Sequence, residues 1–145
     1  MKKYINYSFI YAIVAMASGV FYREFTKLNG FSGVTTLGKV HSHLFLLGMI
    51  VFMIVALFVK NSTLDMQKPF RFFLYIYNIG VPLTSVMMIV RGVLQVLDIP
   101  LSSGIDAAVS GIAGIGHILT GTGIILLLTA LKNSKDLIGS DKNSL

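Results

Sequence analysis

The chain has 145 residues, 54% of them hydrophobic and 12% charged, with a mean hydropathy of +0.79. Soluble domains carry about 25% charged residues, so an ordinary water-soluble domain is excluded. The net charge of +6 does not point to nucleic acid, because the basic residues flank apolar blocks instead of forming one patch; the absence of cysteine excludes disulfides, thiolate metal sites and haem attachment through Cys-x-x-Cys-His.

The first apolar block follows Lys2 and Lys3 and predicts a helix over residues 4–21. No small-x-small cleavage pattern closes it before Phe21-Tyr22-Arg23-Glu24, so the reading is a retained helix and not a signal peptide. A loop with Asn29-Gly30 and Ser32-Gly33 turn signals follows. Helix two is predicted over 35–59, ending at Lys60, and a short polar loop leads to Pro69. Helix three is predicted over 70–97, with Pro82 expected to kink it and free a carbonyl. After a loop over 98–104, helix four is predicted over 105–131, ending at Lys132. Each block is near the roughly 20 residues that span a bilayer core, and none alternates with period two, which favours helices over a barrel. The polar tail 133–145 has too little apolar content to pack and is predicted to be mobile.

The expected fold is therefore all-α: an integral membrane four-helix bundle over residues 1–132, antiparallel, up-down-up-down. Lys2, Lys3, Lys60, Lys68, Arg71, Lys132, Lys135 and Lys142 fall on one side, against Arg23, Lys27 and Lys39 on the other. The positive-inside rule then places both termini in the cytoplasm of a multi-pass protein of the cell membrane. Its first partner is the lipid bilayer; a redox partner, a larger membrane complex and a homo-oligomer are the further associations this reading admits.

All three histidines, His41, His43 and His117, lie in or at the edge of apolar helices, where ionisable groups are costly and mark function by default. The competing account is a simple hydrogen bond to a neighbouring helix. Counting from Lys60 and Lys132 at roughly 1.5 Å per residue puts His43 about 25 Å and His117 about 22 Å from the inner surface. Arg91 lies farther out. Two level imidazoles beneath a cation suit haem b, with the iron held by histidines of helices two and four and Arg91, with Lys39, facing the propionates. Against this, Arg91 can pair with Asp98 or Asp106, or snorkel. Gly114 and Gly121 flank His117 on its own face and leave room for a flat macrocycle, although the same glycines suit tight helix packing. His41 and His43 are about 200° apart around a helix and cannot both face one iron. Small residues on the His41 face, Gly38, Gly48 and Ala56, favour His41 as the partner of His117; depth favours His43, otherwise left to bond a propionate or line a path.

The stretch Val40-His-Ser-His-Leu-Phe-Leu-Leu-Gly48 resembles the haem-ligand helices of the haem-copper oxidase catalytic-subunit superfamily, with a weaker echo in Gly116-His-Ile-Leu-Thr-Gly121. That resemblance implies that His41 or His43 is an axial ligand, as in a cytochrome b-like protein. The chain has far fewer helices and histidines than an oxidase needs, so oxygen reduction is not implied. As a whole it resembles an uncharacterised family of small four-helix bacterial membrane proteins, which implies no activity. The expected function is electron transfer, or sensing or handling of haem or a diatomic gas. The alternatives are a Zn or Cu site on the same histidines and a cofactor-free structural or regulatory subunit. No nucleophile-base set, phosphate loop or carboxylate cluster indicates an independent enzyme.

Overall fold

The computed structural model of the protein describes residues 1–135 and 137. Four long helices account for most of them: α1 (Lys2–Leu28), α2 (Leu37–Asn61), α3 (Lys68–Val96) and α4 (Ser103–Asn133). A 3-10 turn at Leu64–Met66 joins α2 to α3, and no β-strand occurs among the described residues. All four helices are long and apolar enough to cross a membrane; at roughly 1.5 Å per residue even the shortest exceeds the hydrocarbon core of about 30 Å.

Helices run past the apolar blocks that announce them. The prediction for α1 stops at residue 21, yet the helix continues to Leu28, because charge alone gives the backbone no reason to unwind. It ends where its last carbonyls find other donors: Asn29 Nδ2 donates to Phe25 O at 2.8 Å, and Gly30 turns the chain at φ +61°, a conformation glycine adopts without steric cost. At the other extreme, α4 begins at Ser103 because the Ser102 hydroxyl accepts from Ile105 N–H, satisfying one of the orphan donors of the first turn.

The core is aromatic. Phe52 of α2 stacks on Tyr11 of α1 with ring centroids 5.7 Å apart and meets Tyr77 of α3 edge-on at 6.1 Å; Phe52, Phe73 and Tyr77 are all fully buried. The outward faces carry Ile10, Val14, Ile54, Phe58, Val86 and Ile118, all exposed. Such a surface suits hydrocarbon and not water.

Between helices in a bilayer there is little hydrophobic drive, and close backbone approach over small residues takes its place. The α3–α4 seam interlocks reciprocally. A Cβ on Gly80 would lie 2.6 Å from the backbone N of Thr120, and one on Gly116 would lie 2.6 Å from Thr84 Oγ1. Between α1 and α2 the tyrosines do the filling: Tyr11 lies against Gly48 and Tyr22 against Gly38.

Within α2, residues Leu44–Ile50 form π turns, which nothing in the sequence pattern predicts. Two carbonyls of this wider segment accept from hydroxyls of the neighbouring helices, Ser8 Oγ to Met49 O at 2.9 Å and Tyr77 Oη to Leu47 O at 2.8 Å. Beyond α4, Lys135 O accepts from Thr63 N–H at 3.0 Å and Leu137 N–H donates to Asn61 O at 2.9 Å, so the start of the predicted tail lies on the α2–α3 loop. Residues 136 and 138–145, where the rest of that tail falls, lie outside the described residues.

Candidate functional site

The two histidines of α2 take different neighbours. His41 faces α1: a Cβ on Gly19 would lie 3.7 Å from its own Cβ, and with Ala15, Arg23 and Phe45 it lines a shallow cleft between the two helices. Its Nδ1 is buried without a hydrogen-bond partner. The small residues that made this face look like a cofactor wall, Gly38 and Gly48, instead receive tyrosine rings of α1, and Ala56 is buried in the same core. Gly48 thus has the Tyr11 ring directly against it.

His43 lies on the other side of α2, about 200° from His41. Its stripe includes Thr36 and Leu47, both of which touch α3: Thr36 Oγ1 donates to Met88 O at 2.7 Å and Leu47 O accepts from Tyr77. These contacts step in opposite directions along the two helices, so Leu47 is opposite Tyr77 and Thr36 opposite Met88. Counting four residues from the first or seven from the second places His43 opposite Val81.

The same reasoning fixes His117. Gly123 meets the Tyr77 ring, Thr120 meets Gly80 and Gly116 meets Thr84, so His117 is opposite Leu83. The two imidazoles are therefore level to within about two residues of α3, or about 3 Å along its axis. His117 also shares a stripe with Asp106 and Ser110, and those two hold Arg91: Nη2 donates to Asp106 Oδ1 at 3.0 Å and to Ser110 Oγ at 2.7 Å. Gln95, one turn beyond Arg91 on α3, accepts from Thr36 N–H at 2.9 Å. One edge of α3, running Tyr77–Thr84–Arg91–Gln95, therefore reaches both α2 and α4.

Both rings are fixed in the same posture. His43 Nδ1 lies 2.9 Å from Lys39 O and His117 Nδ1 lies 2.8 Å from Ala113 O. A carbonyl can only accept, so each Nδ1 carries a proton, and in the neutral ring Nε2 then holds the lone pair, the arrangement that orients a metal-ligating imidazole. His41 has no such bond; its nearest polar contact is Ser42 Oγ, 3.4 Å from Nε2.

The glycines of α4 divide into two sets. Gly116 and Gly123 pack against α3, whereas a Cβ on Gly111, Gly114 or Gly121 would meet nothing within 4 Å. Within this chain helix packing accounts for the first set, and Gly114 and Gly121 have open space beside them. Arg91 pairs with Asp106, as the competing reading of the sequence expected, but all its bonds among the described residues run through Nη2. Nε and Nη1 remain to meet an anion. Lys39 is exposed. Sequence reasoning missed Thr84, which is buried with an unpartnered Oγ1 one residue beyond the His117 level; its heptad spacing from Tyr77 and Arg91 was the available signal.

This arrangement can present two imidazole lone pairs at one level with a cation two turns away. A family model described as a protein of unknown function, DUF2871, matches residues 1–134. The chain belongs to this family. Comparison of the DUF2871 chain with curated proteins and with solved structures finds no match. The family match spans all four helices and the whole α3 edge.

Proposed function

We propose that this DUF2871 protein binds a b-type haem along the α3 edge, with His43 and His117 as axial ligands and Arg91 as a propionate partner, and that it transfers electrons. The observation that carries the reading is the shared level and posture of the two imidazoles, each with Nδ1–H on the carbonyl four residues earlier. The open glycines beside His117 and the resemblance of the His-x-His helix to haem-ligand helices support it. Held by both imidazoles, the group would supply electron transfer in preference to gas binding. The chain's own residues would orient the ligands through Lys39 O and Ala113 O, and Arg91 would meet the acidic edge.

A Zn centre on the same residues has less support. Zinc takes three or four protein ligands, and no group of three His, Cys, Asp or Glu side chains comes together among the described residues. In the bilayer we place the Lys2 end and the α2–α3 loop in the cytoplasm, with the helices alternating in direction; Arg91 and the propionates then lie in the outer half.

The test is the oxidised and dithionite-reduced absorption spectrum of haem-supplemented, detergent-purified protein. Wild type and His41→Ala are expected to show a Soret band and a sharp reduced α band, which His43→Ala and His117→Ala lose or shift. No Soret band in wild type, or loss with His41→Ala but not His43→Ala, overturns the assignment.

A further inference from the structure

A second cavity, unrelated to the histidines, opens between α1 and α3. Its volume is about 320 Å³, at the lower end of the range for small-molecule sites. Tyr7, Tyr11 and Val14 of α1 face Asn78, Pro82 and Ser85 of α3 across it. Most of the wall is apolar, and at its rim Ile10, Val14 and Val86 are exposed on the surface suited to hydrocarbon. A molecule dissolved in the bilayer enters sideways.

Two features of the α3 wall call for a polar ligand atom. Ser85 is 4% exposed, and its Oγ has no hydrogen-bond partner, although an unsatisfied buried hydroxyl costs about 1–3 kcal/mol. Three residues earlier, Pro82 has no N–H to give, so the carbonyl of Asn78 loses its helical donor. Asn78, Pro82 and Ser85 fall on one helix face, and all three line the same small cavity. Tyr7 and Tyr11 supply aromatic surface opposite them.

We propose that this cavity binds the ring of a membrane quinone or quinol, its oxygens meeting Ser85 Oγ and the Asn78 carbonyl and its tail leaving between α1 and α3. A bare acyl chain would fill the volume and leave both polar groups unpaired. A quinol hydroxyl donates to the Asn78 carbonyl while its oxygen accepts from Ser85, so the reduced ring uses both groups.

Decylubiquinol and decylubiquinone binding to the full chain in nanodiscs, followed by tyrosine fluorescence, tests this; the chain has no tryptophan and two of the lining tyrosines report directly. Saturable quenching is expected, weakened about tenfold by Ser85→Ala, in keeping with one lost hydrogen bond to a buried group, and abolished by Val14→Trp, which fills the cavity. Decanol is expected not to compete. Equal binding of decanol, or quinol affinity unchanged by both substitutions, overturns the proposal. His43→Ala and His117→Ala are expected to leave binding intact, so the haem assignment and this one fail separately.

Discussion

Single positions separate packing from binding in this chain. Gly80 and Gly114 are both helical glycines on facing helices, yet a Cβ on Gly80 would meet the Thr120 backbone at 2.6 Å while one on Gly114 would meet nothing. Backbone cannot swing aside as a flexible side chain can, so Gly80→Ala must push α3 and α4 apart. A loss of about 1–3 kcal/mol is expected from such overpacking. Gly114→Ala is expected to be neutral or to gain up to about 1 kcal/mol, the ordinary helix preference for alanine. SDS titration of the purified protein measures both. Gly114→Phe extends the comparison: with unchanged stability but lost haem uptake it ties the open face to the cofactor, and with full haem uptake it removes that face from the site. The sequence showed the glycines but could not sort them, since only the partner helix decides which are filled. The same holds for His41 and His43, where a run of small residues indicated close approach without saying that tyrosine rings make it.

At the scale of the helix, the apolar blocks located all four elements, and the Asn29-Gly30 turn and the Pro82 position were legible for local stereochemical reasons. The π turns of α2 were not, because they depend on Ser8 and Tyr77 from other helices. π segments recur at functional sites, and this one starts at Leu44, directly after His43. Tyr77 is the tie that matters most, since its hydroxyl holds Leu47 O while its ring fills the space over Gly123. Tyr77→Phe keeps the ring and deletes only the hydrogen bond. It is expected to cost about 1–2 kcal/mol and to loosen the registration of His43 against α3, seen as weaker haem retention with unchanged helical circular dichroism. Retention equal to wild type would show that the His43 position does not depend on this tie.

For the molecule as a whole, the ends of the helices carry different charge, and the packing shows which ends belong together. Tyr4 meets Phe70 with ring centroids 5.6 Å apart, and Thr63 and Asn61 bond Lys135 and Leu137, so the N-terminus, the α2–α3 loop and the end of α4 share one end with Lys2, Lys3, Lys60, Lys68, Arg71, Lys132 and Lys135. Arg23, Lys27, Lys39 and Arg91 belong to the other. Basic residues are retained on the cytoplasmic side during insertion, so the first end is expected inside. The absence of native cysteine makes the test clean: single cysteines at Lys27 and Ser103 should react with a membrane-impermeant maleimide in intact cells, and those at Lys60 and Lys132 only after permeabilisation. The reverse pattern would put Arg91 and the edge proposed for haem in the cytoplasmic half. The expected pattern puts Arg91 in the outer half, so any redox partner of the proposed haem would be sought on the outer face of the membrane.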